Sequence, residues 1–339
     1  MSQATAGASR NGRGAAGGFD RPLLLTARED LFGYVSSLAG RVLLLLVAAS
    51  SVLAVFLIFL FIIREAFAFF AGGETFADNL DLVKQRAAEV FGSTQWYPER
   101  DTPEYGMLAI FAGSFYVTFG SVVLAVPLGL MTAVCLSDIF PFTLRQIVKP
   151  VVELLAAIPS VAYGFFAVMV VKPWLQDFFD IPSGANILNA SMLLAVMAVP
   201  TIVSVSEDAL SAVGRPLREG SYALGATRSE TMIRVVIPAA HNGIIAAVIL
   251  GMMRAVGETM VVWMAAGNAS QIPHPWWDLT TSVRTMTATI AQEMGETAHG
   301  TPHYHALFTI GLLLLVFTFV LNTATEFLLS RMQLGGAKK

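Results

Sequence analysis

Long apolar runs dominate this sequence and restrict it to a fold embedded in a membrane. Residues 42–63 form the first run, and later runs lie at 108–136, 151–171, 187–205, 243–264 and 306–329. A helix needs about 20 apolar residues to cross a hydrocarbon core. Only 13% of the residues are charged, about half the share found in soluble domains. The sequence therefore predicts an all-α integral membrane protein with six transmembrane helices.

The distribution of positive charge predicts how these helices are oriented. Of the 21 Lys and Arg residues, 14 fall in the termini and in the two loops on their side, six in the opposite loops and one inside a span. Because inner loops carry an excess of Lys and Arg, we predict a multi-pass protein of the cell (plasma or inner) membrane with both termini cytoplasmic. The basic residues form no concentrated patch, which argues against nucleic acid as a partner.

The predicted organisation has one membrane domain between two short tails. The first apolar run begins too late for a signal peptide, so we interpret it as an uncleaved span. Cys135 is the only cysteine and lies in an apolar run, so we interpret it as a packing residue. The predicted segments are a cytoplasmic N-terminal tail (1–40), a six-helix domain (41–335) with an acidic outer loop (64–106, containing a short helix at 80–91) and an inner loop (206–240), and a C-terminal tail (336–339).

Two charges inside the fifth apolar run require an explanation. Arg254 and Glu258 are four residues apart, which predicts one shared helical face, with Arg254 near the membrane midplane. A charge there costs about 2.5–3.5 kcal/mol on insertion scales, so it must face protein or water. One interpretation is a buried ion pair that locks the helix against a neighbour. The other is that Arg254 binds an oxyanion, because a guanidinium is always charged and can contact two oxygens at once.

The second interpretation leaves two roles open for Glu258. It could hold Arg254 in one rotamer, or it could accept a hydrogen bond from a protonated oxyanion. Ser160, Tyr163 and Thr259 are candidate neutral donors beside the anion, although packing explains each of them as well. Prolines inside spans remove helical hydrogen bonds and favour helices that border a cavity or pack in a bundle; they are Pro127, Pro159 and Pro200.

The inner loop 206–240 carries the signals of two short helices joined by a tight turn. Pro216 suits a first helical position, and Gly225 suits a left-handed residue after a helix end. Thr227 and Glu230 then match a capping box, and Pro238 interrupts the helix that follows. Apolar side chains at the turn indicate a docked partner, since an exposed apolar patch is unfavourable in water; these residues are Tyr222, Leu224 and Ala226.

A histidine cluster supports a competing hypothesis, that of a membrane metalloenzyme. His299 and His303 have a spacing that suits one helical face, and His305 follows closely. Gly300 and Pro302 lie between the first two histidines, however, and neither favours a regular turn there. We therefore expect this segment to be a solvated outer loop that binds no metal.

Two groups of motifs resemble a known family. Glu219-Gly220-Ser221, Gly225 and Pro238 resemble the EAA loop of permease subunits in ABC importers, with Gly220 and Ser221 in place of its two alanines. Further stretches, within a likeness that extends over roughly residues 40–330, are similar to the PstC family of phosphate permease subunits; they are Arg254 with Gly257, Glu258 and Thr259, residues 153–166, residues 61–66 and Trp96–Pro98.

This resemblance implies a type I ABC importer permease with a MetI-like fold that moves phosphate by alternating access. It places Arg254, Glu258, Thr259, Ser160 and Tyr163 at the substrate, and Glu219, Tyr222, Leu224, Gly225, Ala226 and Pro238 at the ATPase. The implied partners are a second permease subunit (PstA-like), two ATPase subunits (PstB-like) and a phosphate-binding protein (PstS-like). None of the five lysines precedes Ser or Thr, so ATP and Mg²⁺ are expected on the ATPase subunits alone. Molybdate or sulfate is the alternative cargo.

Overall fold

The computed structural model describes residues 27–71 and 76–336. Helices account for most of these residues, together with one short antiparallel hairpin in which Trp96 pairs with Tyr105. π-Helical turns at 135–139, 167–171 and 232–236 continue three of the helices. The elements are α1 Ala27–Phe70, α2 Phe76–Gly92, β1 Trp96–Tyr97, β2 Glu104–Tyr105, α3 Leu108–Val134, α4 Phe142–Ala157, α5 Ser160–Phe166, α6 Lys172–Phe179, α7 Ile187–Ser211, α8 Arg215–Ala223, α9 Arg228–Thr231, α10 Ile237–Ala239, α11 His241–Val256, α12 Met260–Ala265, α13 Met286–Glu293 and α14 Pro302–Gly336.

The chain divides into two compact units, residues 1–59 and 60–339. In the first unit, the part of α1 from residue 38 onward turns large apolar side chains outward, with Leu44 70% exposed. This is the surface expected of a helix in lipid. The helix begins at Ala27, so no helix end marks the boundary predicted at residue 40, and the boundary stays a prediction. Residues 1–26 of the predicted tail lie outside the described residues, as do 337–339 of the C-terminal tail.

Helices α3, α7 and α11 form the centre of the second unit. Ile202 of α7 lies between Gly129 of α3 and Gly251 of α11. A Cβ added to Gly129 would come within 2.7 Å of the Ile202 side chain, and one added to Gly251 within 2.5 Å. Small residues allow this close approach, which supplies the packing contacts that hold helices together in lipid.

One of the six predicted spans is bent, and the chain bends a second time just before another. Among the described residues, four helices are long and apolar enough to cross a membrane. Two further pairs of shorter helices are each joined at a sharp bend, and counting each pair as one span gives six spans. The predicted span 151–171 breaks at Ile158 and Pro159, where the chain bends by 91°. Because proline restricts the residue before it and supplies no N–H, α4 ends here. A second bend of 72° separates α9–α10 from α11.

The predicted continuous helix 243–264 is wrong. Helix α11 ends at Val256, and α12 begins at Met260 after Gly257, Glu258 and Thr259. Glycine lowers the helical propensity at this position, and the Glu258 carboxylate binds backbone amides that the break exposes. The candidate site residues of the fifth span therefore lie in and around a break between two helices.

The charge distribution predicts which loops share a side of the membrane, and loops predicted to share a side contact each other. At one end of the second unit, the Ile187 amide donates to the Thr281 carbonyl at 3.1 Å, and the Trp96 indole donates to Glu293 at 3.0 Å. At the other end, Arg218 of α8 pairs with Asp138 in the turn after α3. The alternation of loops between two ends agrees with the predicted topology.

Candidate functional site

Arg254 lies in the last turn of α11, directly before the helix break. Its side chain is exposed, and among the residues that the structure describes it forms no ion pair. A cation is favourable at a helix C-terminus, because the last carbonyl groups carry partial negative charge. Arg254 is therefore an exposed cation at a helix end, with no carboxylate paired to it among the described residues.

Glu258 binds the backbone of the next helix. Its carboxylate accepts hydrogen bonds from the amides of Met260, at 3.2 Å, and Val261, at 3.4 Å. These are orphan donors of the first turn of α12, which the carboxylate caps. The predicted helical face shared by Arg254 and Glu258 does not form, because α11 ends between the two residues. The locking ion pair is likewise absent from the described residues.

Two of the three candidate neutral donors, Ser160 and Tyr163, belong to α5, and the third, Thr259, is in the break itself. Tyr163 of α5 is buried, and its hydroxyl donates to the Leu155 carbonyl at 2.8 Å, so this donor is already used at the end of α4. Ser160, at the start of α5, and Thr259, just before α12, are half-buried. A Cβ on Gly164 would come within 2.5 Å of Met264, so α5 packs closely against α12.

Hydroxyl groups that the sequence did not single out surround Glu258. A cavity of about 10 Å³, close to the volume of one water molecule, contains Glu258 in its lining. Thr287 donates to the Glu258 carbonyl at 2.9 Å. Ser114 and Thr118 are four residues apart in an apolar span, and this spacing could have indicated a polar helical face there. The sequence does not reveal that Thr285 and Thr287, at the start of α13, approach the same cavity. The hydroxyls that line the cavity belong to Ser114, Thr118, Thr285 and Thr287.

The inner loop folds as the sequence predicted as far as the capping box, whereas Pro238 does not interrupt the helix that follows, because this helix continues to Ala239 and bends at Ala240. Helix α8 begins with Pro216 near its first position, and Gly225 has a φ of 86°, in the left-handed region that favours glycine. Thr227 and Glu230 form the capping box. We call residues 215–238, comprising α8, this turn and the helical segment after it, the elbow.

The tip of the elbow presents apolar side chains outward. Leu224 is 90% exposed and Tyr222 43% exposed, while Ala226 is half-buried. Glu219 is exposed on α8, and Pro238 lies in α10, where the elbow ends. Together these residues form a protruding surface without a covering partner in the described part of the chain.

The histidine segment differs from the expected solvated loop. His303 and His305 belong to α14, and their side chains are only 13% and 18% exposed. His303 pairs with Glu293 at 2.9 Å and His305 with Glu65 at 3.1 Å, whereas His299 is exposed. The sequence could not reveal these pairs because the carboxylates come from other elements. Within residues 27–71 and 76–336, no three His, Cys, Asp or Glu side chains form a metal-binding group.

Glu293 joins several outer segments. Its carboxylate accepts hydrogen bonds from the Trp96 indole at 3.0 Å and from Arg284 at 2.5 Å, in addition to the contact with His303. Burial acts to raise the pKa of Glu293, but the hydrogen bonds from His303 and Trp96 and the charge of Arg284 hold it below its ordinary value of 4.5. Glu293 also lines a pocket of about 600 Å³.

Comparison with known proteins relates this geometry to transport. The family described as "Binding-protein-dependent transport system inner membrane component" matches residues 125–334. A probable ABC transporter permease protein, YqgH of Bacillus subtilis, is 40% identical over 243 residues, which cover 72% of this chain and 78% of that protein. The phosphate transport system permease protein PstC of Mesorhizobium japonicum is 35% identical over 258 residues, 70% of this chain and 77% of that protein. PstC of Haemophilus influenzae is 30% identical over 270 residues, 74% and 84% respectively.

Two solved structures have a similar fold. A bacterial ABC transporter involved in the import of alginate matches 88% of this chain and 99% of its own, with a TM-score of 0.58 and 15% identity. The inward-facing MetNI methionine ABC transporter matches 66% and 96%, with a TM-score of 0.52 and 20% identity. At these identities the likeness establishes the fold alone.

Proposed function

Because the chain belongs to the family of binding-protein-dependent transport system inner membrane components, we propose that Arg254 is the residue with which this permease binds phosphate during import. The chain is a multi-pass, non-catalytic membrane subunit of an ABC importer. Its fold is the predicted MetI-like permease fold. Relatives named as phosphate permeases support phosphate as the cargo.

The observation that carries the proposal is an exposed guanidinium that has no ion-pair partner within residues 27–71 and 76–336 and that lies at a helix break in an apolar span. The cost of placing this charge among apolar helices is offset when an anion and water reach it. A guanidinium can bind two oxygens of phosphate at once. Because the cargo must leave again, we propose a transient station in a path and not a tight receptor site.

The remaining residues have smaller roles in this proposal. Ser160 and Thr259 offer hydroxyls beside the break, while Tyr163 orients the end of α4 through the Leu155 carbonyl. Glu258 keeps the break open by capping α12 and thereby leaves Arg254 to the anion. This role replaces direct pairing between Glu258 and Arg254 as our explanation of the carboxylate.

The family implies ATPase and binding-protein partners. We propose that two PstB-like ATPase subunits dock on the exposed tip of the elbow at Tyr222 and Leu224. Glu219, Gly225, Ala226 and Pro238 shape this surface. A PstA-like second permease would complete the path, a PstS-like protein would deliver phosphate from outside, and both termini would be cytoplasmic. Alternating access would then follow from movement of the elbow.

Uptake of radioactive phosphate into proteoliposomes tests the assignment of Arg254. The complex with Arg254→Gln should assemble normally and take up phosphate about 100-fold more slowly, because two charge-assisted hydrogen bonds are lost. Arg64→Gln, which removes an exposed arginine from α1, is the matched control and should retain uptake. Near-normal uptake by Arg254→Gln would remove the site assignment. Uptake of labelled molybdate or sulfate by the wild-type complex, with no uptake of labelled phosphate, would identify another oxyanion as the cargo.

A further inference from the structure

We propose that Arg218 and Asp138 form a brace that transmits movement of the elbow to helix α3. Arg218 lies in α8, within the elbow, and Asp138 lies in the π-helical turn that continues α3. Their ion pair joins elements that are far apart in sequence and are not consecutive in the fold. The inference rests on the proposed function, because it assumes that the elbow receives its movement from the ATPase.

The ion pair is well supported on both sides. Arg218 also donates to the carbonyl of Leu210 at 2.7 Å and to that of Val213 at 3.4 Å. Asp138 uses its other oxygen to accept a hydrogen bond from Ser137 at 2.8 Å. The side chains are only 17% and 24% exposed, so a single unpaired partner would be costly. Arg218 thereby holds the end of α7 and the end of α3 to the same short helix.

The space next to the brace is open. A groove of about 430 Å³ separates the end of α3 from the segment after the elbow turn, and both Asp138 and Arg228 line it. Ile139 and Ile233 on its two sides are 65% and 66% exposed. Apolar packing also joins the two segments, because Met232, which lines the groove, and Ala133 of α3 belong to one cluster. The ion pair between Arg218 and Asp138 adds a charged contact between α8 and the end of α3, and in this proposal it carries force from the elbow to α3.

Helix α3 leads from this contact to the proposed substrate site. The helix runs from Leu108 to Val134, and its Ser114 and Thr118 line the small cavity beside Glu258. A displacement of its inner end would therefore reach the hydroxyls next to the helix break. Packed helices transmit such shifts because their interfaces resist continuous deformation.

The ratio of phosphate imported to ATP hydrolysed tests the brace in the reconstituted complex. Asp138→Asn keeps the shape of the side chain and removes only its charge, and Arg218→Gln removes the partner charge. Both variants should assemble and hydrolyse ATP, while the ratio falls about tenfold, within the usual range of coupling energies. Asp138→Glu should restore at least half of the ratio because it restores the charge. An unchanged ratio in both variants, failure of either complex to assemble, or no recovery with Asp138→Glu would each overturn the proposal.

A second ion pair supplies the matched control. Lys149 of α4 binds Glu207 of α7 at 2.6 Å, at the same end of the bundle but without involving the elbow. Lys149→Gln should leave the ratio within about twofold of the wild type, since this pair is not a coupling contact. A tenfold loss in this variant would show a general effect of removing an ion pair and would contradict the brace.

A distance measurement separates failure of the brace from failure of the proposed function. Spin labels at exposed Ile139 and Arg215, introduced as cysteines in a Cys135→Ser background, report the distance between the end of α3 and the elbow. In the wild-type complex, adding ATP should change this distance by less than about 2 Å. In Asp138→Asn, the change should be larger. The result requires no phosphate, so a complex that carries another anion still tests the brace. Equal shifts with and without Asp138→Asn would refute it.

Discussion

At the residue scale, Glu258 shows how a helix break can separate two neighbouring charges. Four residues separate it from Arg254, a spacing that would align the two side chains in a continuous helix. Instead, its carboxylate accepts the Met260 and Val261 amides. The same carboxylate cannot neutralise Arg254 in this arrangement. The break thus satisfies the negative charge with backbone donors and keeps the positive charge accessible.

Glu293 is a second carboxylate whose negative charge is stabilised by neighbouring donors, namely Trp96, Arg284 and His303. Its lowered pKa means that the folded state favours the ionised form. The corresponding stability is present above pH 4.5, the ordinary value, and is lost as the pH falls through the lower folded-state pKa. Loss of hydrogen bonds to this charge would release Trp96, Arg284 and His303 from one another.

We predict that Glu293→Gln lowers the melting temperature of the purified protein at pH 7 by about 2–4 °C for each kcal/mol lost. Because the variant lacks the ionisable group, its melting temperature should depend less on pH below 4.5 than that of the wild type. Melting curves at several pH values from 7 to below 4.5 measure both effects. Glu99→Gln, an exposed substitution at the same pocket, is the control. Identical profiles for the wild type and Glu293→Gln would exclude a role for this charge.

At the element scale, the elbow depends on one residue with a left-handed backbone. Gly225 has a φ of 86°, and a Cβ added there would meet no atom within 4 Å. Any penalty for a substitution should therefore come from the backbone conformation and not from a clash. Left-handed conformations cost a residue with a Cβ about 1–2 kcal/mol, with Asn the most tolerant.

We predict that Gly225→Val impairs coupling, whereas Gly225→Asn largely preserves it. A β-branched side chain at this φ should shift the turn and move Leu224 out of position. The expected result for Gly225→Val is a loss of about fivefold or more in phosphate imported per ATP, a typical lower bound for coupling energies. Co-purification of the ATPase subunits should also fall more with Gly225→Val than with Gly225→Asn. Equal coupling in both variants would contradict the docking role of the turn.

Elements with local causes were predictable from the sequence, and elements with distant causes were not. Pro216, Gly225 and the Thr227–Glu230 capping box act on their own backbone, so the elbow was predicted residue by residue. The end of α11 depends on contacts that Glu258 makes with α12 and α13. A glycine inside an apolar run is compatible with a continuous membrane helix, so sequence alone favoured the wrong interpretation.

At the scale of the whole molecule, the alternation of the loops constrains which surfaces face each side of the membrane. The pocket that Glu293 lines and the elbow belong to opposite groups of loops, and the excess of Lys and Arg lies in the group that contains the elbow. Under the proposed function, the substrate and the ATPase would therefore approach from opposite sides, as import driven by cytoplasmic ATP hydrolysis requires.

We predict that the elbow is labelled only from the cytoplasmic side. In a Cys135→Ser background, Ser229→Cys places a thiol on the elbow and Ala298→Cys places one beside the histidine segment; both positions are exposed. A membrane-impermeant maleimide should label Ala298→Cys in intact cells and Ser229→Cys only in inside-out vesicles, because inner loops carry the excess of positive charge. Cysteine-free protein controls for background labelling, and detergent-solubilised protein controls for thiol reactivity. The reverse pattern would place the elbow outside, where no ATPase subunit could dock, and would contradict both the predicted orientation and the coupling role.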